Sequence, residues 1–168
     1  MKKFELTTEF ITNALGKKLF RIKALVEFGS VKAGELGGYA EKEENISQDG
    51  NAWVSDDACV YGDAKVFGNA WVYGDACVYG DAKVSDNAEV SGDADYALVK
   101  GFGTEFRCTT FYRDKNKKIM VNCGCFHGDL EAFRKQVKET RSGKIAKEYL
   151  MIADLMEYHF ASEDSSDE

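Results

Sequence analysis

The sequence predicts a mainly β protein whose central part is a parallel β-solenoid, and two periodicities in residues 49–96 support this fold class. The first is a hexapeptide repeated without a gap: DGNAWV, SDDACV, YGDAKV, FGNAWV, YGDACV, YGDAKV, SDNAEV and SGDADY. The second is an 18-residue period, because residues 53–70 and 71–88 are identical at 14 of 18 positions. A six-residue period fits one short strand and one corner per hexapeptide. Three hexapeptides would then form one triangular coil, with residue i beside residue i+18, and the repeat would hold about three coils.

The hexapeptide also predicts which side chains face the interior. Its fourth residue is always Ala, and its sixth is Val in every copy but the last. Residues two apart in a strand point to the same side, so both columns should be buried. The second residue is Gly or Asp, which suits a corner with a positive φ angle. The fifth residue should point outward, which places Trp53 beside Trp71 and Cys59 beside Cys77 on the outer surface.

The corners should also carry ladders of identical polar side chains, separated by the strand spacing of about 4.8 Å. These ladders are Asn51/Asn69/Asn87, Asp57/Asp75/Asp93 and Asp63/Asp81. Stacked amides are favourable in such columns. Stacked carboxylates repel one another, so the Asp columns should either cap backbone N–H groups at the corners or hold cations such as calcium.

Residues 1–48 are predicted to cover the first open edge of the coil. An uncovered edge would expose unpaired backbone groups. Apolar residues alternate on both sides of a turn at residues 13–16, which is typical of a β-hairpin. This segment should therefore form an N-terminal β-hairpin cap and a lead-in to the repeat at residues 49–96.

Residues 97–160 predict a ββαα module that covers the other edge or mediates assembly. Apolar residues alternate over 104–113 and 118–126, which indicates two strands. Asp129 is a candidate N-cap for a first helix. A second helix would place these apolar residues on one face: Ile145, Tyr149, Ile152, Met156 and Phe160. Residues 161–168 form an acidic tail that should be disordered.

Composition excludes several classes of protein. The chain has 168 residues, of which 44% are hydrophobic, so it should form a globular domain with a small second module. No apolar run reaches the ~18 residues of a membrane span, and the polar start does not fit a signal peptide. A cytoplasmic location is therefore expected, with the five cysteines as reduced thiols. The net charge is −7 and the repeat is acidic, which disfavours nucleic-acid binding along the coil.

The repeat resembles the hexapeptide-repeat proteins that fold as left-handed parallel β-helices. Two further stretches extend the resemblance: GELGGYAEKEENIS with GNAWV in residues 34–54, and VNCGCFHG in residues 121–128. They are similar to a family of largely uncharacterised proteins of bacteria and their phages. The resemblance implies a left-handed parallel β-helix, a phage or prophage association and a homo-oligomer, with a trimer favoured.

Outward aromatic residues are the first candidate site. Trp53, Trp71 and Tyr73 should form a stripe on one face, and Tyr61 and Tyr79 should stack on the next. Exposed aromatic side chains at this density suggest a face that is buried in an interface. A platform on which a ligand stacks is the alternative.

A cysteine–histidine cluster is the second candidate site. Cys123, Cys125 and His127 alternate along a predicted strand, and a symmetric hairpin would place Cys108 opposite Cys123. Three thiols and an imidazole are the ligands that zinc prefers. The alternative is a small core filled by reduced thiols, without a cofactor.

These observations favour a non-enzymatic, oligomeric binding or scaffold protein. The phage resemblance suggests a protein that binds and blocks a host component, such as a defence nuclease or its signalling nucleotide. The alternative is an acyl- or nucleotidyl-transferase of the hexapeptide-repeat class with an altered catalytic residue. Both histidines, His127 and His159, lie outside the repeat, so the coil lacks the general base of the standard acyl transfer. The question of catalysis stays open, with a binding role preferred.

Overall fold

The computed structural model describes residues 1–92, 95–105 and 107–161, and it shows a mainly β chain that ends in two helices. The strands before and within the repeat are β1 (Phe4–Thr12), β2 (Lys18–Ala24), β3 (Leu36–Ala40), β4 (Trp53–Val54), β5 (Cys59–Val60), β6 (Lys65–Val66), β7 (Trp71–Val72), β8 (Cys77–Val78), β9 (Lys83–Val84) and β10 (Glu89–Val90). The later elements are β11 (Tyr96–Val99), β12 (Thr109–Arg113), β13 (Ile119–Cys123), β14 (Phe126–Asp129), α1 (Leu130–Thr140) and α2 (Gly143–Phe160). A 3-10 helix, Glu43–Asn45, precedes the repeat. Asp93 and the predicted tail from residue 162 lie outside the described residues.

The 18-residue register is confirmed by short parallel strand pairs. Strand β4 pairs with β7, β5 with β8, and β6 with β9. The residues that lie opposite each other are Trp53 and Trp71, Cys59 and Cys77, and Lys65 and Lys83. Backbone hydrogen bonds join successive 18-residue segments, as from the N–H of Trp53 to the carbonyl of Ala70 at 3.0 Å. The chain therefore returns to the same wall after three hexapeptides.

The interior of the repeat is apolar, as predicted. The following alanines and valines have no exposed surface: Ala52, Val54, Ala58, Val60, Ala64, Val66, Ala70, Val72, Ala76, Val78, Ala82, Val84, Ala88 and Val90. Full burial of one valine side chain contributes about 1.5–3 kcal/mol to folding. Seven of the eight corners have the predicted positive φ angle, and Gly92 is the exception. Asp56 and Asp86 adopt 56° at the position that is otherwise glycine.

The N-terminal cap contains the predicted hairpin and one further strand. Strands β1 and β2 pair antiparallel, and β2 pairs antiparallel with β3. Strand β3 then pairs parallel with β5, so Tyr39 lies opposite Cys59. The N-terminal sheet is thus continuous with one wall of the repeat and covers that part of its edge.

Two side chains donate hydrogen bonds to the edges of the other two walls, and the wall of Val66 also forms a parallel bridge with Ile46. The Lys3 amino group donates a hydrogen bond to the carbonyl of Ala52 at 2.8 Å. The Asn45 side-chain amide donates to the carbonyl of Ala64 at 2.9 Å. Ala52 and Ala64 occupy the same hexapeptide position on different walls. Each of the two side chains therefore supplies a hydrogen-bond donor that the backbone of a preceding coil would have supplied. Burial lowers the pKa of Lys3 from 10.5 to about 8.

The C-terminal module differs from the predicted ββαα arrangement, because its antiparallel sheet has the order β11-β12-β13-β14. Strand β11 begins at the end of the repeat and pairs with β12. The predicted strand over 118–126 is interrupted by a tight turn at Gly124 and Cys125, where Cys123 pairs with Phe126. The module therefore has two more strands than predicted. One is the short strand β11, and the other is β14, which follows the turn at Gly124 and Cys125.

One face of this sheet closes the repeat, and the other carries the helices. Tyr112 is fully buried in the same core as the alanine and valine columns. Phe111 and Val121 belong to a separate core with the helices. Asp129 is the N-cap of α1, as predicted, and accepts a hydrogen bond from the N–H of Ala132 at 2.7 Å. In the described part of the chain, no helix has the length and apolar character needed to cross a membrane.

Candidate functional site

Trp53 and Trp71 lie opposite each other, yet their exposures differ sharply. Trp53 is 1% exposed, whereas Trp71 is 41% exposed. The rings of Phe4 and Phe28 contact Trp53 edge-on, with centroids at 6.3 and 5.3 Å. The prediction that Trp53 is an outward binding residue is therefore wrong, because the N-terminal segment folds over it.

The two indole N–H groups also differ in their partners. Trp71 Nε1 donates a hydrogen bond to Ser55 Oγ at 2.9 Å. One coil earlier, the residue equivalent to Ser55 is Gly37, and Trp53 Nε1 has no hydrogen-bond partner among the described residues. A Cβ atom on Gly37 would lie 2.4 Å from the carbonyl oxygen of Val54, so close backbone packing excludes a serine there. An unpaired buried N–H group costs stability. Trp53 therefore stabilises the protein through the packing of its ring and not through a hydrogen bond.

A pocket of about 140 Å³ lies between the two tryptophans and the loop before the repeat. Phe28 and Val31 of that loop form one side, and the Asn51–Asn69 ladder forms another. The predicted amide ladder is present at this pair, because Asn51 Nδ2 donates to Asn69 Oδ1 at 3.2 Å. The pocket combines aromatic walls with amide groups at its edge. Such a lining can hold an apolar or aromatic side chain and hydrogen-bond to its backbone.

Tyr73 and Trp71 form one aromatic patch. Their rings meet edge-on, with centroids 6.0 Å apart. Tyr73 directly follows β7 and is half-buried. The patch of Trp71, Tyr73 and the adjacent pocket is hereafter the Trp71 face.

Tyr61 and Tyr79 form a second aromatic pair at a different corner. Their rings are stacked at 5.2 Å with an angle of 9° between the planes. Tyr79 is 49% exposed, but Tyr61 is half-buried and packs against the cluster of Leu19, Tyr39 and Cys59. The predicted stacking of Tyr61 on Tyr79 is thus present. The five predicted aromatic residues form two separate groups, one around Trp71 and one at Tyr61 and Tyr79.

Cys59 does not face solvent, contrary to the sequence prediction. It is 6% exposed, because Leu19 and Tyr39 of the N-terminal sheet pack on it. Cys77, its neighbour on the next coil, is half-buried in the same cluster. Both thiols fill the space between the N-terminal sheet and the repeat.

The predicted metal cluster of Cys108, Cys123, Cys125 and His127 is not assembled. Cys123 lies opposite Thr109, one residue away from the predicted register. Because the chain turns at residues 124–125, His127 pairs with Asn122 and faces the repeat, whereas Cys123 belongs to the helix side. Over residues 1–92, 95–105 and 107–161, no group of three or more His, Cys, Asp or Glu residues is arranged to hold a metal ion.

His127 instead connects the C-terminal sheet to a corner of the repeat. Its Nε2 forms a short hydrogen bond with an Asp86 carboxylate oxygen, and its Nδ1 lies 2.5 Å from Asn122 Oδ1. Asn122 Nδ2 in turn donates to Ser85 Oγ at 3.2 Å. Tyr112 also contacts Ser85, and burial raises the pKa of Tyr112 to about 12. Both imidazole nitrogens are engaged, so this network joins the two modules.

Asp86 was not predicted as a partner of His127. Their separation of 41 positions along the chain and their places in different modules hide the contact from sequence patterns. One signal was present, because Asp86 occupies a corner position where glycine is the usual residue. A carboxylate there adds a hydrogen-bond acceptor that glycine cannot supply.

Lysines balance one of the two predicted carboxylate ladders, Asp63/Asp81. Asp56, in a neighbouring column, accepts a hydrogen bond from the N–H of Gly74 at 3.1 Å. Asp63 lies 3.0 Å from the Lys42 amino group, which holds the pKa of that carboxyl below its usual value. Asp81 is paired with Lys100 at 2.7 Å. These ion pairs offset the carboxylate repulsion within the Asp63/Asp81 ladder.

A second cleft, of about 130 Å³, lies between the C-terminal sheet and the helices. Cys123 and Cys125 line it together with Arg107 and Arg141. Arg107 forms an ion pair with Glu105, which reduces the positive charge available to an anionic ligand.

No protein-family model matches the chain, and comparison with curated proteins gives no significant match.

Proposed function

We propose that this protein is a non-enzymatic binding protein that uses the Trp71 face to hold a protein partner. The observation that carries the proposal is the contrast between the two tryptophans of one ladder. The chain covers Trp53 with its own N-terminal segment but leaves Trp71 41% exposed beside a pocket. Partly exposed tryptophans next to a pocket are typical anchors of protein interfaces.

The repeat is proposed to wind as a left-handed parallel β-helix. The resemblance to hexapeptide-repeat proteins supports this hand, and the 18-residue register with its alanine and valine interior is consistent with it. Such a coil is a rigid support, because each wall is hydrogen-bonded to the next segment. A rigid support lowers the entropy lost when the aromatic side chains bind.

The charge of the protein favours a protein partner over a nucleotide. The net charge is −7, and Asp56, Asp57 and Asp75 are near the Trp71 face in the repeat sequence. A phosphorylated ligand would be repelled there. With the resemblance to phage proteins, this supports a host protein, such as a defence nuclease, as the component that is bound and blocked in the cytoplasm.

A homo-oligomer is part of the proposal, and the trimer implied by the resemblance stays a prediction. A trimer packed coil against coil would need free outer walls. The N-terminal sheet covers Trp53 and Cys59, which reduces the wall area that a neighbouring coil could use.

Capture from host lysate tests the proposed function. The tagged wild-type protein should retain a host protein that Trp71→Ser retains at least tenfold more weakly. Tyr79→Ser is the matched control, because Tyr79 is comparably exposed but lies outside the Trp71 face. Equal retention by the wild type and Trp71→Ser would contradict the proposal.

Acyl or nucleotidyl transfer is a second candidate, and one observation favours it. The pairing of His127 with Asp86 places an imidazole–carboxylate pair at a corner of the repeat. An imidazole held by a carboxylate is a common general base. Here the second ring nitrogen is engaged by Asn122, so proton transfer would require that contact to break. A binding role is therefore preferred.

A further inference from the structure

We infer that helix α2 (Gly143–Phe160) carries a self-association surface through which two copies of the chain pair antiparallel. Met151, Leu155 and Tyr158 are 61%, 58% and 83% exposed. Their spacing of i, i+4 and i+7 places them within about 60° of the helix circumference. These three residues are hereafter the α2 stripe.

The α2 stripe is not the side of the helix that packs on the protein. Tyr149, Ala153, Met156 and Phe160 are buried in the C-terminal core, and they lie on the opposite side of the helix. Helix α2 is thus apolar on two opposite faces. A helix with this pattern is expected to be covered on both sides.

The neighbouring helix shows that an apolar outer face is not general in this module. Helix α1 exposes Glu131, Lys135 and Lys138, and its large apolar residues, Leu130, Phe133 and Val137, are buried. Arg134 of α1 binds Asp154 and Glu157 at 2.8 Å each, along the flank of the α2 stripe. Charged contacts therefore border the stripe, whereas its centre is apolar, as in an interface with a polar rim.

The charge pattern along α2 identifies a second copy as the occupant. Lys144 and Lys147 continue the line of the stripe towards the start of the helix, and both are exposed. Beyond the other end, the sequence of residues 162–168 contains four carboxylates. In an antiparallel pair, the two lysines of one copy would lie near the C-terminal end of the partner's α2, from which the acidic sequence continues. In a parallel pair, lysines would face lysines, which costs energy.

The antiparallel arrangement also fixes which stripe residues meet. With Leu155 near the two-fold axis, Met151 would contact the partner's Tyr158, and Leu155 would contact the partner's Leu155. The axis is close to Leu155 because that residue lies near the middle of the stripe. The inference rests on the homo-oligomeric part of the proposed function, with a dimer in place of the trimer that the resemblance implies. It does not involve the Trp71 face.

Sedimentation equilibrium of the full chain tests the surface. The wild type should be a dimer at micromolar concentration, and Leu155→Glu should raise the dimer dissociation constant at least tenfold. Leu15→Glu is the matched control, because Leu15 is 73% exposed in the hairpin loop and should leave the mass unchanged. Lys147→Glu, a charge reversal outside the apolar centre, should weaken the dimer several-fold. Circular dichroism must show that each variant is folded.

Single cysteines test the orientation, in a Cys125→Ser background that removes the exposed native thiol. Leu155→Cys should give a disulfide-linked dimer on mild oxidation, whereas Met151→Cys should not. Cross-linking at both positions would overturn the antiparallel arrangement. A wild-type monomer, or an oligomer that is insensitive to Leu155→Glu, would overturn the inference. If Leu155→Glu captures the same host protein as the wild type, the result supports the Trp71 face independently of the α2 stripe.

Discussion

The side-chain amino group of Lys3 lies 2.8 Å from the carbonyl oxygen of Ala52, 49 residues further along the chain. The contact is buried, and the ring of Phe28 lies 4.7 Å from the same amino group. The first residues of the chain thus supply a donor to a coil edge that has no preceding coil. A single side chain replaces one backbone hydrogen bond of the repeat.

Replacing this donor should destabilise the protein. In Lys3→Met, the Ala52 carbonyl would lose its partner in a buried place, which costs about 1–3 kcal/mol. Urea denaturation of the wild type and Lys3→Met at pH 10, where the folded Lys3 amino group is neutral and still donates, measures the difference. Lys2→Met is the control, since Lys2 forms only a partly exposed ion pair with Glu43. Equal midpoints for the wild type and Lys3→Met would contradict the capping role.

The same residue predicts a pH dependence. The pKa of Lys3 falls from 10.5 in the unfolded chain to about 8 in the folded protein. Between these values, the unfolded chain binds more protons, so this group makes the free energy of unfolding rise with pH. The wild type should therefore gain stability relative to Lys3→Met between pH 8 and 10, by up to about 1.4 kcal/mol per pH unit. Parallel stability curves of the two proteins would show that the amino group is not desolvated.

The periodic parts of this fold could be predicted from the sequence because they are local. The hexapeptide gave the inward columns and the 18-residue register, and the helical spacing gave the buried residues around Phe133 and Tyr149. Asp129 could be predicted as a cap because its partner, the N–H of Ala132, is three residues away.

The errors came from contacts between distant segments. Nothing in the repeat indicates that Phe4 and Phe28 cover Trp53 but not Trp71. The cysteine cluster was predicted from an unbroken strand, and a two-residue turn at Gly124 was enough to separate Cys123 from His127. A one-residue change of register moves side chains to the other face of a sheet.

A charge inside the repeat should unfold the protein. Val72 has no exposed surface, and in Val72→Asp an isolated carboxylate would lie in an apolar interior, at a cost of several kcal/mol. Circular dichroism and thermal melting measure this loss. Lys83→Asp, at an exposed outward position of the same coil, should remain folded with a melting temperature within a few degrees of the wild type. A folded Val72→Asp protein would contradict the assignment of the interior.

Acyl-transferase activity should be absent. Acetyl-coenzyme A should neither bind at micromolar concentration nor be consumed, because both nitrogens of His127 are engaged within the protein. Calorimetry and a thiol-release assay test these two expectations. Saturable turnover that is lost in His127→Asn would refute the binding role and support the second candidate function.

The two tryptophans should respond differently to the same substitution. Trp53→Ser would remove a fully buried ring with two aromatic contacts, so about 3–5 kcal/mol of stability should be lost. Trp71→Ser should lower the melting temperature by only a few degrees, because much of that ring is exposed. Thermal melting of both variants checks the contrast. Similar losses would mean that Trp71 also serves the fold.

Acrylamide quenching of Trp71 fluorescence tests the central claim, that the Trp71 face binds a partner, most directly. In Trp53→Phe, Trp71 is the only tryptophan, so its emission reports this face alone. Quenching should be efficient in the isolated protein and should fall at least twofold when the purified host protein captured by the wild type is added to saturation. Unchanged quenching of Trp71 in the saturated complex would contradict the claim.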